Sequence, residues 1–216
     1  LLPLFPKWSN NLARLSLAVL VLVPTVALGF SWIWVRSPLR TGQDQPIAQP
    51  VQFDHRHHVV DVGIDCRYCH QTVETSASAG VPPAELCMNC HSQVWNKSPK
   101  LEPVREAFFS GQPIQWNRVN RVPDFVYFNH SIHLAKGVGC VTCHGRVDEM
   151  PEVAMGQPLS MEFCLDCHRH PEPQLRPKEY LTDMAWKPAE DQTLLGARLA
   201  EEYHVHSRTS CTTCHR

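Results

Sequence analysis

Residues 128–144 read Phe128-Asn129-His130-Ser131-Ile132-His133-Leu134-Ala135-Lys136-Gly137-Val138-Gly139-Cys140-Val141-Thr142-Cys143-His144. Two histidines three apart are followed, after a short apolar connection, by a Cys-x-x-Cys-His unit. The same order occurs earlier, where Phe53-Asp54-His55-Arg56-His57-His58 precedes Cys66-Arg67-Tyr68-Cys69-His70. The second histidine lies seven residues before the cysteine in one copy and eight in the other. Each copy is then followed by another unit, Cys87-Met88-Asn89-Cys90-His91 or Cys164-Leu165-Asp166-Cys167-His168, and a last one, Cys211-Thr212-Thr213-Cys214-His215, closes the chain.

All ten cysteines are used in these five units, and every pair is followed at once by histidine. Two thiols at this spacing match the two vinyl groups of a porphyrin, and the adjacent imidazole reaches the iron as proximal ligand. A four-cysteine zinc site takes such pairs in twos and has no use for the histidines. A redox dithiol is a single motif, and a disulfide framework gives no reason for His70, His91, His144, His168 or His215. The pattern therefore implies five covalently bound haems c. Attachment of haem c takes place on the outer side of the bacterial cytoplasmic membrane, so the chain from residue 66 onward is expected there.

Cys66 and Cys140 are 74 residues apart, Cys87 and Cys164 are 77 apart, and the Phe-x-His-x-x-His segments repeat with them. Two two-haem repeats and a half-repeat describe the chain. Histidines three apart on a helical turn fan from one face, so each His-x-x-His can serve two haems. His55, His58, His130 and His133 are thus the expected distal ligands, with His57 a solvated neighbour. For the fifth haem the alternatives are His204, His206, His170 or a thioether of Met150, Met155 or Met161. The three methionines otherwise read as soft packing against porphyrin.

Leu15 to Val35 carries no charge over 21 residues, which as a helix spans roughly 30 Å. Its length and its terminal Trp32 and Trp34 favour a retained anchor over a signal peptide. The organisation expected is an N-terminal segment 1–14, a transmembrane helix 15–36, a Pro/Gln-rich tether 37–52, a first two-haem repeat with linker 53–127, a second repeat 128–200 and a fifth-haem half-repeat 201–216. Within the linker, LEPVREAFF reads as a short amphipathic helix. Eighteen prolines in 216 residues and little periodic patterning imply a mostly irregular fold of short helices packed around haems. A net charge of −1 gives no reason to expect nucleic acid.

Phe-x-His-x-x-His ahead of Cys-x-x-Cys-His resembles the class III multihaem cytochromes c. The single anchor, the five motifs, PDFVYFNHSIH, MEFCLDCHR and CTTCHR together resemble the pentahaem cytochrome c subunit of bacterial alternative complex III. That resemblance implies an electron-transfer subunit without a catalytic site of its own. It would relay electrons within a membrane quinol:acceptor oxidoreductase beside an iron–sulfur subunit, a monohaem cytochrome c and integral membrane subunits. It also implies a single-pass protein with its haem domain on the periplasmic side. A membrane-anchored quinol dehydrogenase feeding a separate reductase is the alternative. A pentahaem reductase fits less well, because all five motif ligands are histidine and eight further histidines are available.

Overall fold

The computed structural model describes residues 5–215, which divide into two units at residues 43 and 44. In the first unit, α1 (Ser9–Arg36) is 28 residues long, and its most apolar window has a mean hydropathy of 2.1. It begins six residues before the apolar run, where Leu12, Ala13 and Arg14 are all good helix formers. Pro24 lies inside it without ending it, and none of its residues is buried. Near its end, Phe30 stacks on Trp34 and the Arg36 guanidinium sits 3.5 Å over the Trp32 ring. This single apolar helix is compatible with one membrane span or with a signal sequence. A short α2 (Pro38–Thr41) follows and ends on Gly42 in the left-handed region.

In the second unit the described residues form only short helices and two isolated bridges, Pro46 with Ala154 and Val138 with Leu175. Each motif rides on one or two helical turns: α3 (Cys66–Cys69), α4 (Ala84–His91), α7 (Cys140–His144), α8 (Met161–Arg169) and α10 (Cys211–Cys214). Asp65 and Ser160 cap α3 and α8 by accepting from backbone N–H groups, which fixes where those turns start. The expected amphipathic linker helix is α5 (Glu102–Ser110), which buries Val104 and Ala107 and stops at Gly111.

Three small apolar clusters take the place of one core. Val51, Ala84, Leu101, Val104 and Ala107 form one, Val73, Leu134 and Leu181 a second, and Leu175, Leu195 and Leu199 a third. The last two leucines come from α9 (Gln192–Glu202). Clusters this small suit a chain that packs around large apolar plates.

The segment read as a tether is only partly one. From Asp44 onward it is strapped down: Asp44 N–H donates to the Met155 carbonyl at 2.9 Å, and Gln49 and Asn117 exchange hydrogen bonds at 2.9 Å. Val51 is buried in the first cluster. Proline and glutamine hid this, because their contacts are made by backbone and amide groups that leave no apolar pattern.

Candidate functional site

The two Phe-x-His-x-x-His segments adopt one arrangement by different backbone routes. His130 and His133 lie on α6 (His130–Ala135), an ordinary α-helical turn capped by Asn129. His55 begins, and His58 lies within, a π-helical turn, Arg56–Asp61, in which Val62 N–H reaches back five residues to the His57 carbonyl. The wider turn absorbs the extra residue of the first repeat. Side-chain packing is then the same in both. Phe53 meets His55 edge-on at 4.7 Å and stacks on His58 at 4.3 Å, while Phe128 meets His130 edge-on at 4.7 Å and stacks on His133 at 4.4 Å.

Three of these four histidines have a motif histidine as a ring neighbour. The units are numbered here by sequence, so that His70, His91, His144, His168 and His215 belong to sites 1 to 5. Ring centres of His58 and His91 are 6.1 Å apart, those of His133 and His168 6.1 Å, and those of His130 and His144 6.3 Å. His70 contributes to holding the pKa of His55 below its ordinary value. With a metal–nitrogen distance of about 2.0–2.1 Å and about 1.1 Å from ring centre to ring nitrogen, imidazoles sharing a metal have centres about 6.2 Å apart. The observed pairs are spaced for an iron between them. Among the described residues no three His, Cys, Asp or Glu converge as a metal cage; donors come as opposed pairs, which suits a metal whose other four ligands are a porphyrin's.

Tautomers are set for the same purpose. Nδ1–H of His70 donates to the Gly80 carbonyl, that of His91 to Val94, that of His168 to Arg208 and that of His215 to Phe125, at 2.8–3.0 Å. Of the histidines ahead of the motifs, His58 donates to the Asp54 carbonyl, His130 to that of Ala77 and His133 to that of Asn129. Each bond leaves Nε2 unprotonated and available as a metal ligand. Burial lowers the pKa of His144 and of His55 to about 4, with nearby histidines adding to the effect, and it lowers that of His133 as well. Neutral imidazole, the ligating form, is therefore favoured. None of the ten cysteines is in a disulfide.

Site 5 is differently furnished. His215 is held by its bond to Phe125, and the Phe125 ring lies 5.7 Å from it. Among the described residues neither His204, His206 nor His170 makes a ring contact with His215, and all three are exposed. Of the methionines weighed for this position, Met155 is buried away from solvent and Met161 is exposed.

Sequence reading missed Arg176. It is buried, donates from Nη1 to the Asp183 carbonyl at 3.0 Å and approaches the backbone of Gly139, where any Cβ would lie 2.3 Å from its Nε. No motif marks it, although a glycine directly before Cys140 is the trace it leaves.

Residues 126–216, which hold sites 3 to 5 and α6, match the family of cytochrome c7 and related cytochrome c. That part of the chain is similar to the multihaem cytochromes c. The cysteine pairs within it, at Cys140, Cys164 and Cys211, have the spacing by which that family attaches c-type haem. A relative from Nitratidesulfovibrio vulgaris, the multihaem cytochrome c subunit of menaquinone reductase, is 36% identical over 120 residues. The match covers 55% of this chain and 54% of the relative, so the chain spans about half of that protein's length.

Proposed function

We propose that this cytochrome is the five-haem electron-transfer subunit of a membrane-bound quinone-linked oxidoreductase. The observation that carries the reading is the set of opposed imidazoles about 6.2 Å apart, because a site closed on both faces relays electrons and has no position for substrate. Haem c supplies one-electron iron chemistry at each site. The chain supplies the rest. Cysteine pairs fix each ring, His55 and His58 tie sites 1 and 2 to one turn, and His130 and His133 tie sites 3 and 4 to another. Carbonyl-bound Nδ1–H groups raise imidazole basicity and so favour the ferric state. Burial around His144 keeps water from the middle of the path.

The quinone link rests on two likenesses that differ in direction. The motif set resembles the pentahaem subunit of alternative complex III, a quinol oxidiser, whereas the relative belongs to a menaquinone reductase. A relay serves either direction, and α1 fits a retained anchor beside integral membrane subunits, with the haem domain on the periplasmic face. Affinity purification of the tagged cytochrome from membranes, with identification of co-eluting subunits and a haem count by pyridine haemochrome, tests all of this. Co-elution of an iron–sulfur subunit with five haems per chain is expected. A lone cytochrome with a ligand-accessible high-spin haem that reduces substrate itself would overturn the relay.

A further inference from the structure

We infer that the five haem sites adjoin one another in the order 2–1–3–4–5, so that electrons enter and leave through the Cys87/Cys90/His91 and Cys211/Cys214/His215 sites. The inference deepens the relay reading and rests on it. Sequence order would place site 1 at an end; the contacts place it inside.

Sites 2 and 1 meet through the shared Arg56–Asp61 turn and through Asn89, whose amide lies 3.4 Å from the Tyr68 hydroxyl. Asn89 and Tyr68 are the internal residues of the two motifs. Sites 1 and 3 meet at Leu181–Thr182. Cys140 N–H donates to the Leu181 carbonyl at 3.1 Å, and the Cys66 sulfur lies 4.0 Å from the Thr182 carbonyl. The loop between sites 1 and 2 also crosses to the second repeat, where Ala77 accepts from both the backbone and the ring of His130.

Sites 3 and 4 share α6, as described. Sites 4 and 5 meet where the His168 ring donates to the Arg208 carbonyl, three residues before Cys211. Site 5 folds back on the residues that lead into α6, with Tyr127 N–H donating to the Cys214 carbonyl at 2.9 Å.

Exposure gives an independent reading of the ends. Of the ten cysteines, only Cys90 and Cys211 are exposed, and they belong to sites 2 and 5. The centre of the proposed order is site 3, and neither of its cysteines, Cys140 and Cys143, is exposed. Large apolar side chains stand open beside both ends, Trp95 near site 2 and Phe125 and Tyr127 near site 5. Those are surfaces on which a redox partner brings its own centre close.

The order is testable because coupling between charges falls with distance. In the haem-loaded full chain, solubilised in detergent, His55→Met raises the potential of site 1 by replacing imidazole with thioether. NMR-monitored redox titration with assigned haem methyl signals should then show both site 2 and site 3 responding, and site 5 responding at least about threefold less. His58→Met, at site 2, should move site 1 and leave site 3 nearly unchanged. Site 3 responding to His58→Met and not to His55→Met would overturn the order. If either variant fails to load haem, iron positions in an electron cryomicroscopy map of the unmodified protein decide it, with sites 2 and 3 both expected beside site 1. A high-spin, substrate-binding haem would sink the relay reading separately and leave the measured order standing.

Discussion

His130 and His144 face each other with ring planes only 6° apart, whereas His133 and His168, one helical turn away, cross at 60°. His58 and His91 cross at 65°. Parallel imidazoles split the iron orbitals that bind to them, and crossed imidazoles leave those orbitals nearly equal in energy. Site 3 should therefore give a well-resolved rhombic low-spin EPR signal. Sites 2 and 4 should give broad, strongly anisotropic signals with the largest g value well above that of site 3. Low-temperature EPR of the fully oxidised protein checks this, and a single class of signal would contradict the ring geometry.

In the proposed ligation, the partner of each motif histidine is set by space and not by sequence. His133 lies seven residues before Cys140, yet its ring faces His168 of site 4. His133→Ala should turn one haem high-spin at site 4, leave site 3 low-spin and keep all haem covalently attached. Magnetic circular dichroism of purified protein, with site 3 followed by its rhombic EPR signal, reads the difference. Loss of that rhombic signal would mean that His133 serves site 3.

Arg176 is a buried cation beside the backbone that leads into Cys140. A positive charge near an iron favours the reduced state. At an effective dielectric of about 20 and a separation of about 8–16 Å it is worth about 1–2 kcal/mol. Arg176→Gln should lower the potential of site 3 by an amount in that range, and Arg176→Lys should retain most of it. Spectropotentiometry on both variants tests this. An equal fall in both would assign Arg176 a packing role through its bond to Asp183 and no electrostatic one.

Much of this protein is legible in its sequence because covalent attachment demands a fixed pattern. The cysteine pairs, their histidines and the repeated Phe-x-His-x-x-His are all local, and so is the α5 pattern. Pairing of His58 with His91, or of His133 with His168, is not local. It depends on how two turns dock, and nothing at positions 58 or 133 encodes the partner. The π-helical turn at Arg56–Asp61 left one trace, the eight-residue spacing where the second repeat has seven. The strapping of residues 44–51 left none, since backbone groups make most of its contacts.

Gly196 lies inside α9, where alanine would ordinarily stabilise a helix by about 0.5–1 kcal/mol. Here a Cβ would stand 2.0 Å from the Glu172 carbonyl oxygen, which belongs to backbone and cannot step aside like a flexible side chain. Overpacking of this kind costs about 1–3 kcal/mol. Gly196→Ala should therefore lower the thermal midpoint of the haem-loaded protein. An unchanged or raised midpoint by circular dichroism would show that α9 can move off Glu172–Gln174 freely.

At site 5 the backbone separates the two histidines of the Tyr203–His206 segment. His204 has φ at +52°, a region that few side chains adopt. Its N–H donates to the Glu201 carbonyl and that of Val205 to Ala200, while Val205 packs in the same apolar cluster as Ala200. These are the two bonds and the apolar contact of a Schellman C-cap. The position of His204 is thus explained by termination of α9, and Lys136 reinforces it by donating to the Tyr203 carbonyl at 2.6 Å. His206 lies beyond the cap, five residues before Cys211, and has no such duty. His206→Ala is expected to convert site 5 to high-spin, whereas His204→Gly, which suits the left-handed position better than histidine, should leave the spectrum low-spin and stability unchanged or higher. EPR and thermal unfolding of the two variants decide between them. A low-spin site 5 in both would place its sixth ligand outside this segment, with His170 the next histidine to replace.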